Sequence, residues 1–507
     1  MKKTAGVYIL FDIIYIITIF STGAVCQQAG YHDIMQLIES GEFEQADRQI
    51  EPLSAQPELY HHLRSRYYFY KSSYTEALAE LALSGINTAE KKEFFEYLTL
   101  LTEYTKDFVE IETGYFRIRT TFNDRFLAYY LSGPLAKIHE TIGKEFNYFP
   151  EDKIVIEIYP YKNQFAVAST LGEETIERSG AIAISKYNRL MIHSPQLLPY
   201  GYRWIDTICH EYIHFAVNRI TKTQCPLWFH EGIARYYDTY WRLNPPEFTT
   251  PGNINTLINA RKENKLITFE RMGQSLVYLD NQDQVSLAFT EVSLSIDYLN
   301  KTYPGKLQEI LHSMASATRE ESFKKGIDMT IPGFETSFFR YLETLELKQS
   351  TGAVTDRIYF NKVDELNEFT GVNVRDHIRL GDRFRKNNSL EYALLQYKKA
   401  LDKEPNNPVV LIRTAKTYMM LNKNSPAEEL LKLCVKTNPN FVTGYENLGE
   451  YYFKNSRYSE CIPVFMESMQ INPFNLFTHK MLAEAYMNIN NPVLSVKEME
   501  IANILTR

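Results

Sequence analysis

One short run, His210-Glu211-Tyr212-Ile213-His214, has the residue types and the spacing for metal-assisted hydrolysis. On a helix, positions 210 and 214 lie about 40° apart around the axis and roughly 6 Å apart along it, so both imidazoles can face one divalent ion. Glu211 would project beside that ion rather than onto it, the place of a general base acting on a water that the metal activates. Two histidines leave a four-coordinate catalytic site one protein ligand short. Glu231, at the start of a second helix expected over 231–240, is the candidate for that ligand.

Two neighbours bear on the same chemistry. Asp206 lies one turn before His210 on the same face, where it can accept the second ring proton of a metal-bound histidine or stand as a solvated helix-start acid. His230 adjoins Glu231 and on a helix points about 100° away from it, so it is not expected to be a ligand. Two imidazoles and one carboxylate suit zinc, one ion per chain, and other divalent ions fit the same donors.

The motif and the segment Trp228-Phe229-His230-Glu231-Gly232-Ile233-Ala234 together resemble the gluzincin zinc metallopeptidases, in particular the aminopeptidase N-related clan and the peptidase MA-like domains. The resemblance covers roughly 110–345 and is sharp over 206–240. It implies Glu231 as third zinc ligand. It also implies a strand above the metal that pairs with the extended backbone of a substrate, and Gly180, Ala181 and Ile182 stand at about the right distance before His210 for that strand. Aminopeptidase relatives carry a glutamate there for the substrate amine. Here the position is Ala183, which argues against trimming of amino termini and leaves internal cleavage of peptide bonds as the expected reaction. In those relatives a tyrosine downstream of the third ligand supports the oxyanion. Phe289 stands where that hydroxyl is sought, with Tyr298, Tyr236 and Tyr237 as unranked substitutes.

The elements that must position these groups follow from periodicity. Helices are expected over 33–40, 43–50, 60–70, 74–83 and 90–108, with Ala46 and Ala77 at corresponding small positions of helical hairpins, either a degenerate tetratricopeptide region or an ordinary bundle. Alternation then predicts strands at 116–120, 154–159, 181–185 and 190–193, a small sheet immediately before the motif, with a helix over 123–146 interrupted at Gly133-Pro134. Helices over 285–299, 305–314 and 334–347 would close the far side of a cleft. Residues 346–373 lose periodicity and read as a linker.

From 374 to 507 the period is 34. Pro405, Pro439 and Pro473 recur at that interval, as do Gly381, Ala415, Gly449 and Ala483, and the rings of Phe384, Tyr418, Tyr452 and Tyr486. Small residues in fixed phase let paired helices approach, and each proline ends a hairpin, so this stretch resembles four tetratricopeptide repeats. Such an array implies a groove for a protein partner or substrate, or a structural spacer.

The totals bound the rest. A chain of 507 residues with 44% hydrophobic content holds about three globular domains, and a net charge of −7 gives no electrostatic case for nucleic acid. Lys2 and Lys3 before an apolar run over 7–20 have the layout of an export signal within 1–26, with cleavage possible after Ala24. A periplasmic or cell-envelope location is expected, with a retained anchor or lipidation at Cys26, and hence membrane association, as the alternative to cleavage. Five cysteines are too few for a disulfide framework, and Cys209 and Cys225 read either as a pair or as free thiols. The reading is an α+β chain: helical hairpins over 27–109, a gluzincin-like zinc peptidase domain of small sheet plus helical subdomain over 110–345, a linker, and a helical repeat solenoid. Its rival is a repeat scaffold in which the peptidase fold persists without turnover.

Overall fold

The computed structural model describes residues 22–273, 276 and 279–506, with side chains from Gly30 onward. The expected export signal and Cys26 lie outside the described side chains. Among the described residues no helix is long and apolar enough to cross a membrane.

Five helices open the chain, Thr22–Glu39, Phe43–Ile50, Pro57–Tyr70, Tyr74–Leu83 and Ala89–Thr105. Ala46 and Ala77 are both fully buried, as small residues between close helices are. A five-stranded sheet follows, with β1 (Phe108–Glu112), β2 (Phe116–Thr121), β3 (Ile154–Tyr159), β4 (Ala183–Lys186) and β5 (Arg189–His193) in the order β1-β2-β3-β5-β4. The three central strands are parallel and each edge strand pairs antiparallel. β1 is a departure from the sequence reading, which carried the preceding helix to 108; Ile111 instead pairs with Ile118.

β3 is buried at all six positions, which suits a central strand covered on both faces. Its one charge, Glu157, is compensated inside the protein. Arg119 lies 2.5 Å away, Arg189 3.3 Å, and the hydroxyls of Tyr74 and Tyr159 donate to it. Because Tyr74 belongs to the opening helices, this cluster ties them to the sheet.

The helix Leu127–Phe146 runs through Gly133-Pro134 without the expected interruption. Its buried stripe of Leu127, Leu131, Leu135, Ile138 and Ile142 holds it together where local propensity would break it. Under β4 and β5 lies the motif helix, Trp204–Thr221, buried on nearly every side, and beside it the Glu231 helix, Leu227–Tyr237. Helices Pro251–Lys262, Gln282–Thr302, Lys306–Ser313, Arg319–Ile327 and Ile331–Thr344 form the helical subdomain.

Residues 345–364 form neither helix nor strand and run as a strap from this subdomain to the repeats. Four helical hairpins follow, beginning at Val372, Pro408, Val442 and Leu476. Gly381, Ala415, Gly449 and Ala483 are buried between their paired helices. The array does not stand apart. One apolar core continues from Phe116 in the sheet through Trp204 to Phe465 and Ile501 in the repeats. Phe126 meets Phe474 edge-on at 5.1 Å, and the buried Tyr130 hydroxyl donates to Glu498 at 2.9 Å. On the last helix, Pro492–Leu505, Val493, Val496 and Met499 stay exposed while Leu505 is half-buried.

Candidate metal and catalytic site

The motif helix is fastened at its first turn by the repeats. Backbone N–H groups at a helix start lack partners within the helix. Here Trp204 N donates to Gln470 O at 3.2 Å, Tyr202 N to Ile471 O at 2.9 Å, and the Trp204 indole to Met469 O at 3.0 Å. Between them the Arg203 guanidinium reaches Glu467 at 2.7 Å and Pro439 O at 2.8 Å.

Two turns further on, His210, Glu211 and His214 place ligand atoms within 4.8 Å of one another. Glu231 completes the site from the neighbouring helix. Its Oε2 lies 3.5 Å from His210 Nε2 and 3.3 Å from His214 Nε2. Donors about 2.05 Å from a tetrahedral zinc ion stand about 3.3 Å from one another, and both Glu231 separations are close to that value. Glu211 also lies near both imidazoles, while Glu231 meets both Nε2 atoms with a single oxygen. The Glu211 Oε2 is buried without a hydrogen-bond partner.

Burial raises the Glu211 carboxyl above its ordinary value, against the pull of His214 and His210. For Glu231 burial acts the same way, but the two imidazoles outweigh it and hold the carboxyl well below the usual range. Burial works against a charge on His210, and Asp238 and Glu231 override it, raising that imidazole to about 10. The ligand set without its ion is thus a carboxylate clasped between imidazoles.

Asp206 does not take the role expected of it. Its Oδ1 accepts from the Trp241 indole at 3.0 Å and Arg242 Nε at 2.9 Å, and its Oδ2 accepts from Arg242 at 2.6 Å. Asp238 faces His210 instead, with Oδ2 3.8 Å from Nδ1, while Arg235 holds the same oxygen at 2.9 Å. The signal was present in the sequence: seven residues after Glu231 is two helical turns, back on the same face. His230 stands 3.3 Å from both Nδ1 and the backbone oxygen of His214, so it contacts a ligand without being one. Burial, with His214 adding to it, pushes His230 down to about 3, which keeps it neutral.

The three tyrosines considered for the oxyanion all lie outside the cleft. Tyr298 packs among Phe334, Phe338 and Tyr341. Tyr236 lies against Phe248 and Tyr237, and the Tyr237 hydroxyl donates to Glu145 at 2.8 Å. All three are held by aromatic packing or a partner of their own. Phe289 does line the cleft, its ring centroid 6.0 Å from that of His210. Arg235, one turn beyond Glu231, lines it too.

Gly180, Ala181 and Ile182 form the cleft wall next to β4, and Ile182 O accepts from His193 N at 2.8 Å, extending the β4 pairing by one residue. The cleft measures about 720 Å³ and is composite: the sheet edge, both motif helices, the strap at 354–359 and the repeats at 438–441 all contribute. Cys209 and Cys225 are free. A second cavity of about 940 Å³ lies in the repeat groove, lined by Arg385, Lys386, Lys416 and Lys454 with Asp382 and Glu450.

No family model matches the chain. The small glutamine-rich tetratricopeptide repeat-containing protein 2 of Mycosarcoma maydis is 29% identical over 91 residues, 18% of this chain and 26% of that protein, so the match spans about a quarter of the relative's length. Among solved structures, MamA is 24% identical over 24% of this chain and 72% of its own, with a TM-score of 0.23. The first tetratricopeptide domain of Spaghetti (RPAP3), bound to an HSP90 peptide, is 22% identical over 23% of this chain and 93% of its own, with a TM-score of 0.22. Over that part of its length the chain is similar to tetratricopeptide-repeat proteins.

Proposed function

We propose that this chain is a zinc-dependent peptidase of the cell envelope whose repeat array holds a protein partner or substrate. One observation carries the reading: a single Glu231 oxygen stands 3.3 and 3.5 Å from the Nε2 atoms of His214 and His210, beside a buried Glu211 oxygen without a partner. His210, His214 and Glu231 would hold the ion, and zinc, when bound, polarises a carbonyl and lowers the pKa of water. Glu211 takes a proton from the attacking water as the new C–O bond forms and passes it to the leaving amide nitrogen as the C–N bond breaks. Asp238 and His230 orient the two imidazoles. The free edge of β4 offers backbone partners to an extended peptide. Phe289 has no hydroxyl to give the oxyanion, and Arg235 supplies positive charge on that side of the cleft.

A scaffold without turnover is the second reading. It is favoured by the likeness to tetratricopeptide proteins and by Phe289. Metal content separates the two: about one zinc per chain is expected after dialysis, with marked loss in Glu231→Ala, and Glu211→Gln should keep the metal and lose hydrolysis of peptides. A wild-type protein that takes up no stoichiometric zinc when zinc is offered back would leave the scaffold as the function.

A further inference from the structure

The strap of residues 345–364 is built into the cleft wall. Asparagine and glutamine side chains grip its backbone as a neighbouring strand would. Asn255 donates to Ser350 O and accepts from Ser350 N, both at 2.8 Å. Asn253 accepts from Asp356 N at 3.1 Å. Gln282 accepts from Ile358 N at 2.7 Å and donates to Ile358 O at 3.0 Å. Arg357 makes a two-point pair with Asp283 at 2.8 and 2.7 Å. The Val354 carbonyl occupies the space a side chain at Gly252 would need, so the strap lies flush on the helix Pro251–Lys262.

Where it passes the sheet, the strap meets the helix end and turn that lead into the edge strand. Gln282 also donates to Glu177 O at 3.4 Å, and a Cβ at Gly180 would sit 3.3 Å from that of Ile358. The other end of the same strand serves the catalytic group, since the Ser185 backbone amide faces Glu211. From Ile182, the first residue paired to β5, to Ser185 is three residue steps, roughly 10 Å of extended chain, and the left-handed turn at Gly180 lies two residues further on.

We infer that the strap makes the cleft blind at Gly180, so that a chain bound along β4 can run only about four or five residues past the reacting bond in that direction. The substrate class is then short peptides and chain ends, and bonds deep within a long polypeptide are excluded. A cleft of about 720 Å³ suits an occupant of that size. This rests on the peptidase reading and narrows its expected internal cleavage.

The test is a series of fluorescent peptides sharing one central sequence and lengthened by two to ten residues on one side or the other. Binding is read by anisotropy with zinc-loaded Glu211→Gln protein, and turnover with the wild type. Both should fall at least tenfold when one particular side exceeds about five residues and stay level when the other grows. The double variant Asn255→Ala, Asp283→Ala loosens the strap from outside the cleft and should restore long peptides while leaving short ones and zinc content unchanged. Length-independent binding, or none at any length, overturns the inference. A length limit in binding without turnover in the wild type would sink the peptidase reading alone.

Discussion

At the scale of single residues, two aspartates were available to His210, and the fold employs the one on the neighbouring helix. Asp206 is the earlier on the same face, but an indole and a guanidinium saturate its oxygens. Asp238→Asn is expected to weaken zinc binding by about 10- to 100-fold in a chelator competition, since the carboxylate beside a ligating imidazole sets its orientation and basicity. Asp206→Asn should leave zinc affinity unchanged and lower the thermal midpoint. The raised His210 sets a pH dependence. In the metal-free protein its charge contributes stability that is full below the ordinary value of 6.5 and is lost as pH rises through about 10. Zinc needs the neutral ring, so binding at pH 7 must expel that proton, and affinity should climb by about tenfold per unit between pH 7 and 9. Chelator titrations at three pH values read this directly, and a flat profile would contradict it.

At the scale of elements, what could be read from the chain was what is local or periodic. The motif, Glu231 and the 34-residue phase of Gly381, Ala415, Gly449 and Ala483 each depend on spacing along a helix, and the fold brings the first two together as that spacing implies. The Gly133-Pro134 break was misjudged because tertiary burial of Leu131 and Leu135 on either side overrides a local breaker. The strap was illegible for a different reason. Its backbone is held by Asn253, Asn255 and Gln282, side chains 76 to 103 residues earlier with no periodicity to betray them. β3 carries an equally hidden dependence. Removing the Glu157 carboxylate leaves the fully buried Arg189 without its ion-pair partner and Arg119 with only the distant Glu110. Glu157→Ala is therefore expected to cost about 3–5 kcal/mol in denaturant unfolding, and a joint change of all three to apolar residues much less.

At the scale of the whole molecule, the repeats serve two faces. Their groove carries Arg385, Lys386, Lys416 and Lys454 against two acids, while their other side supplies Asn440, Tyr445 and Glu467 to the cleft beside the motif helix. A shared core implies that the domain carrying the motif helix should not fold without them. A chain ending at residue 438 exposes Trp204, buried in the full protein, and should be recovered largely insoluble, with red-shifted tryptophan emission in any soluble fraction. Soluble, zinc-loaded truncated protein would show the two parts to be independent.

The anchoring of the motif helix by Gln470 and Ile471 also places the site in time. Trp204 and its partner Met469 are 265 residues apart, so their contact closes only once the chain from the motif helix to the third repeat is all in place. Until then the helix that carries His210 and His214 has no partner for its first turn. The spatial arrangement of His210 and His214 is therefore completed late in folding, by carbonyls that lie far away in the chain.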